Sequence, residues 1–168
     1  QTYDEIKVAY NMYTYEGYEP ITRGGSDGTV VHVTNLNDSG GGSLRAAIDG
    51  ASGTLPGTKV VFDVSGTIYV YDWLHVIRPY ITIAGETSAN GITIDGSGIG
   101  GSAVLQVNGH DMIFRHLRVR NNGVSREIVQ CDGDYNIIFD HMSISGGGDG
   151  GLDINAGTHH IIVSRCIF

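Results

Sequence analysis

Apolar positions along this chain come in short bursts separated by polar turns, and the bursts recur. Ile113-Phe114, Ile137-Ile138 and Ile161-Ile162 follow one another at intervals of 24 residues. Val104, Ile128 and Leu152 form a second series with the same interval, and Val119, Ser143 and Ile167 a third. Turns such as Asn108-Gly109-His110-Asp111 and Asp132-Gly133-Asp134-Tyr135 lie between them. Upstream, Val60-Val61-Phe62 and Ile81-Thr82-Ile83 stand about one interval apart. No long stretch follows the 3.6-residue helical period, and no leucine-rich pattern with an Asn or Cys rung appears. A repeat in the twenties with three short strands per repeat predicts a solenoid. The pattern fits an all-β parallel β-helix of about 24 residues per coil. In it, equivalent residues stack about 4.8 Å apart and apolar ladders fill the interior.

Two segments fall outside the repeat. Ser43-Leu44-Arg45-Ala46-Ala47-Ile48 reads as one short helix after a Gly-rich turn. Residues 1–22 hold Tyr3, Tyr10, Tyr13, Tyr15 and Tyr18 and read as a cap on the solenoid or as a tail, with the β-helix domain spanning 23–168.

Composition narrows the class. With 40% hydrophobic and 17% charged residues the chain can bury a core, and its 26 Gly against 3 Pro suit tight turns rather than a collagen-like or disordered chain. No run of 18 apolar residues exists, so no membrane-spanning helix is expected. A formal net charge of −8 makes nucleic acid a poor partner, because phosphate binding needs a basic footprint. An anionic polysaccharide would be repelled unless a cation intervened. Cys131 and Cys166 either pair or sit as two small buried residues. The opening at Gln1, without Met, fits a processed, secreted protein.

The candidate chemistry lies in carboxylates. Asp149-Gly150-Gly151-Leu152-Asp153 places two acids four residues apart at a strand start. The 24-residue register sets Gly151 above Glu127, midway between them. Side chains two apart share a strand face, so Glu127, Asp149 and Asp153 converge outside the helix with Cα atoms roughly 8 Å apart. Ionised carboxylates at that spacing either remain solvated turn residues or gather a hard cation, and a flexible oxygen site suits Ca²⁺ better than Mg²⁺. The seven histidines show no pair with a clear metal-ligand context.

Several segments resemble one family. Residues 28–48, Gly-Thr-Val-Val-His-Val-Thr-Asn-Leu-Asn-Asp-Ser-Gly-Gly-Gly-Ser-Leu-Arg-Ala-Ala-Ile, are similar to the N-terminal signature of the pectate lyases of polysaccharide lyase family one. Val60 to Ile68 and Ile81 to Gly85 resemble their first core strands. Asn136-Ile137-Ile138-Phe139-Asp140-His141 resembles their "WIDH" strand, and Asp149 to Ile154 their "DGxxDI" segment. Gly157 to Ser164 resembles their "GSDYVTIS" segment. The resemblance implies a right-handed parallel β-helix, here its N-terminal coils, and calcium ligands at Glu127, Asp149 and Asp153. Some members carry a further acid where this chain has Ser125.

The activity implied is β-elimination of polygalacturonate, with a cleft arginine taken as the base. That arginine belongs to an "RxPRxR"-like segment expected beyond residue 168 or from another chain, and no catalytic residue is assigned here. Arg126, beside Glu127, reads as a surface charge or a cleft residue. Phe168 falls in strand-like sequence, so further polypeptide or an identical chain is expected to cover the open end. The competing reading is a non-catalytic, carbohydrate-binding or structural β-helix. A polygalacturonase would show acidic strand motifs that are missing, and the pectin lyases lack the calcium acids.

Overall fold

The structure, a computed structural model, describes residues 22–123 and 127–168. The cap or tail expected over residues 1–22 lies outside them apart from Thr22, as do Ser125 and Arg126. Three parallel sheets wrap one interior. A six-stranded sheet stacks β1 (Thr29–Val33), β2 (Thr58–Phe62), β5 (Ile81–Ala84), β8 (His110–Arg115), β11 (Tyr135–Asp140) and β14 (His159–Ser164). A second sheet stacks β3 (Gly66–Tyr69), β6 (Ile92–Asp95), β9 (Leu117–Arg120) and β12 (Ser143–Ser145). A third stacks β4 (Leu74–Val76), β7 (Leu105–Val107), β10 (Glu127–Asp132) and β13 (Gly150–Asn155). The chain visits the sheets in rotation, so each neighbour in a sheet comes from the next coil. This is a β-solenoid of about five turns.

The interior is built from side-chain ladders. Val60, Ile83, Phe114 and Phe139 are in register in the six-stranded sheet. Ile68, Ile94, Val119 and Ile144 line the second sheet, and Leu74, Leu105, Val129 and Leu152 the third. The Phe114 and Phe139 rings stack with centroids 5.3 Å apart. Each large side chain fully buried in such a ladder contributes about 1.5–3 kcal/mol. Among the described residues the single α-helix, α1 (Leu44–Asp49), begins where the Ser43 side chain accepts the Ala46 N–H. It packs Leu44, Ala47 and Ile48 against β1 and β4 and closes one end of the interior.

The constant period of 24 is corrected in detail. Ile137 pairs with Ile161 as expected, but its partner in the preceding coil is Met112; Ile113 pairs with Ile138. Val119 pairs with Ile144 rather than Ser143, and Leu152 with Val129 rather than Ile128. Turn lengths cause the slips. Between Cys131 and Tyr135 the chain takes one residue more than between Val107 and His110, although both pairs are in register. The extra residue has a use: Asp134, fully buried, accepts the N–H of Asp132 at 2.7 Å and that of Gly109 one coil earlier. Burial pushes its carboxyl above the usual range, and those two N–H groups oppose the shift.

A slip of one residue exchanges faces. Ile113, Ile138 and Ile162 therefore form a separate apolar ladder, buried apart from the main core that holds Met112 and Ile137. Gly24 passes over this ladder so closely that a Cβ there would sit 2.9 Å from Ile113 Cγ1, and its φ of +50° suits glycine. Cys131 and Cys166 are free thiols; Cys131 is buried, which pushes its thiol pKa up.

Candidate functional site

The three expected acids border one depression on the outside of the third sheet. Glu127 opens β10, Asp149 immediately precedes β13, and Asp153 lies within β13. Together with Gly150 and Leu152 they line one depression of ≈ 180 Å³. Its register differs from the one expected. Gly150, not Gly151, stands beside Glu127, and Asp153 stands beside Gln130. Strict alternation would then send Glu127 and Gln130 to opposite faces. Ile128 and Val129 are both buried, however, so the strand skips a beat and both flanking residues stay outside. Gly150 has open space where a Cβ would be, so no side chain fills the ground beside Glu127.

The depression is open and lightly organised. Asp149 is exposed, and Asp153 is held by the Asn155 side-chain amide, which donates to its Oδ2 at 2.6 Å. All donors are carboxylate oxygens, the chemistry of a hard cation with a partly hydrated shell. Among the described residues, no arginine lines the depression.

A tighter cluster occupies the corner between the six-stranded and second sheets, which histidine spacing in the sequence did not reveal. Arg115 is in register with Asp140, so His116 and His141 follow at one corner position in successive coils. Both have left-handed backbones, φ 54° and 52°, and their rings stack with centroids 4.4 Å apart and planes 9° apart. With Asp140 they form a group whose ligand atoms all lie within 4.8 Å of one another. The period of 24 hid the pair, because it matches His116 with Asp140.

Electrostatics set the corner apart. Asp140 is buried, yet Ser164 Oγ donates to it at 2.6 Å and Arg165 Nε at 3.1 Å, with His141 Nδ1 2.8 Å from its other oxygen. Burial alone would raise its pKa; the Ser164 and His141 hydrogen bonds and the His141 and Arg165 charges outweigh burial and hold it below the usual carboxylate range. Burial and the neighbouring His141 lower the pKa of His116. The other five histidines are engaged differently: His110 and His159 stack on either face of Tyr135, His160 meets His159 edge-on, His75 bonds to Asn108 and His32 to Asp63.

Parallel sheets in rotation around a ladder-filled interior define a β-solenoid, and comparison with solved structures agrees. Jun a 1, the major allergen from cedar pollen, superposes with a TM-score of 0.59 at 21% identity, over 84% of this chain and 45% of that one. Sequence comparison goes further. A probable pectate lyase C of Aspergillus oryzae is 36% identical over 156 residues, covering 90% of this chain and 35% of that protein. Proteins of the same name from Neosartorya fischeri and Emericella nidulans are 37% and 39% identical, again over 90% of this chain and 34% of theirs. The resemblance to the pectate lyases thus holds along nearly the whole chain, which spans about a third of the length of these relatives. No family model matches.

Proposed function

We propose that this chain is the calcium-binding portion of a secreted pectate lyase that cleaves polygalacturonate by β-elimination. The observation that carries the reading is that Glu127, Asp149 and Asp153 line one open depression, in a chain similar to probable pectate lyases. The three carboxylates would hold Ca²⁺, with Asn155 steadying Asp153. When bound, calcium supplies the charge that neutralises the uronate carboxylate and acidifies the proton α to it. The open mouth leaves coordination positions for water and for the substrate carboxylate. Without a cation, three acids on a chain of net charge −8 repel an anionic polymer, so cation and substrate bind cooperatively. The base, an arginine by the family resemblance, would come from beyond residue 168 or from another chain.

Calorimetric titration of calcium, with and without oligogalacturonate, tests this. Binding is expected to strengthen with the oligosaccharide and to weaken at least tenfold in Asp153→Ala. Equal heats in the two proteins sink the calcium assignment. Ultraviolet absorbance of an unsaturated product separates the lyase from a second reading, a carbohydrate-binding β-helix without catalysis.

A further inference from the structure

We propose that the His116–His141 corner binds one divalent transition-metal ion of zinc or copper(II) type through both imidazoles, with Asp140 as the positioning residue. This inference is independent of the lyase reading, and the corner shares no lining residue with the acidic depression.

Three observations carry it. The first is register: equal left-handed corners in consecutive coils send both rings out in parallel, 4.4 Å apart. The second is the state of the His141 ring. Asp140 lies 2.8 Å from Nδ1 and is itself anchored by Ser164 and Arg165, with a side chain only 4% exposed. An ionised carboxylate only accepts, so Nδ1 carries the hydrogen and Nε2 keeps its lone pair. A buried carboxylate behind an imidazole is the arrangement that orients metal-ligating histidines.

The third is access. His116 and His141 line an open groove of ≈ 630 Å³ that also contains Glu86. One Glu86 oxygen is held by Arg115 at 2.6 Å, whereas the other, Oε2, is buried without a hydrogen-bond partner. That oxygen leaves an unmet acceptor in a residue that lines the groove. The positive groups near the corner are engaged: Arg115 with Glu86, Arg165 with Asp140, and Arg118 with Thr93 at 2.8 Å.

Donor type selects the ion. Imidazole nitrogen favours zinc, copper and nickel over calcium or magnesium. Two zinc–nitrogen bonds of about 2.1 Å in a tetrahedral arrangement need nitrogens roughly 3.4 Å apart. Imidazole lone pairs lie in the ring planes, so the stacked rings aim theirs in parallel; with His141 held by Asp140, the His116 ring must swing by tens of degrees about its own side-chain torsions to bring its lone pair onto the same ion. His116 lines the open groove, so no packed core resists that swing. Waters complete the shell from the groove side.

The test uses untagged protein and the metals alone. Zinc titration is expected to show one site per chain. His116→Asn and His141→Asn should each weaken it at least tenfold; asparagine tolerates the left-handed corner, so the fold is kept and circular dichroism verifies it. Electron paramagnetic resonance of the copper(II) form should show coupling to two imidazole nitrogens, and to one in each single variant. Asp140→Asn should lower affinity about 10–100-fold while the two-nitrogen signal persists. A His159→Ala/His160→Ala variant should bind zinc as the parent does. Unchanged zinc affinity in the His116→Asn/His141→Asn double variant overturns the proposal. So does loss of the site on changing His159 and His160, or no saturable zinc binding to the parent.

Discussion

The acidic depression and the histidine corner lie on different faces of one solenoid and are built in opposite ways. In the depression, Asp149 is exposed and Asp153 is steadied by a single neighbouring amide, over a floor that includes the partly exposed Leu152. At the corner, Asp140 is locked from three sides above the fully buried Phe139. The difference teaches where rigidity comes from in such a fold. Asp140 stands in β11 between β8 and β14 and takes Ser164 and Arg165 as partners from the next coil, whereas Asp153 takes the Asn155 amide from its own strand.

The strongest way to break this contrast is to compare the two floors. Phe139→Ala, which empties a fully buried position stacked on Phe114, should cost about 3–5 kcal/mol in urea unfolding. Leu152→Ala, partly exposed beneath the acids, should cost under about 2 kcal/mol. Equal costs would mean that the depression is as tightly built as the corner.

The acids themselves come next. Asp140→Asn removes a charged acceptor from Ser164, His141 and Arg165 and should destabilise the protein by about 1.5–3 kcal/mol. Asp149→Asn, at an exposed position, should stay within about 0.5 kcal/mol without calcium. Denaturant midpoints in chelator-treated buffer measure both.

A smaller effect follows from pH. The Asp140 pKa is lowered by folding, so its stabilisation is fully present above the unfolded value of roughly 3.9 and is lost as pH falls through the folded value. The gap in stability between the parent and Asp140→Asn should therefore be full at neutral pH and shrink on acidification below about pH 4. A gap that is constant from neutral pH to pH 3 would show that charge is not what Asp140 contributes.

The smallest expected effect sharpens the picture of the depression. Gly150→Ala meets open space and needs no left-handed backbone, so stability should move by less than about 0.5 kcal/mol. The added methyl stands beside Glu127, and calcium affinity should drop by a few-fold at most. A large loss of stability would show that the glycine serves the backbone rather than the clear ground next to the acids.

What the sequence determined by itself was the architecture and the membership of the acidic group. Short apolar bursts repeating every two dozen residues cannot be satisfied by one flat sheet or by helices, and their interior ladders follow from burial alone. Glu127, Asp149 and Asp153 were legible because acids flanking glycines at a strand start stand out, and because the segment resembles the pectate lyases. The register was not legible. The turn that holds Asp134 is one residue longer and binds two backbone N–H groups, and β10 turns two consecutive residues inward, so faces shift without any change in local composition. The longer Asp134 turn is why His116 meets His141 instead of Asp140. Gly150 rather than Gly151 stands beside Glu127 because the step from Ser145 to Gly150 is two residues shorter than the step from Arg120 to Glu127, although both pairs are in register. A residue's period is a property of the chain, but its partner one coil away depends on the lengths of all the turns between them. Those lengths are decided by backbone hydrogen bonds that exist only once the coils are stacked.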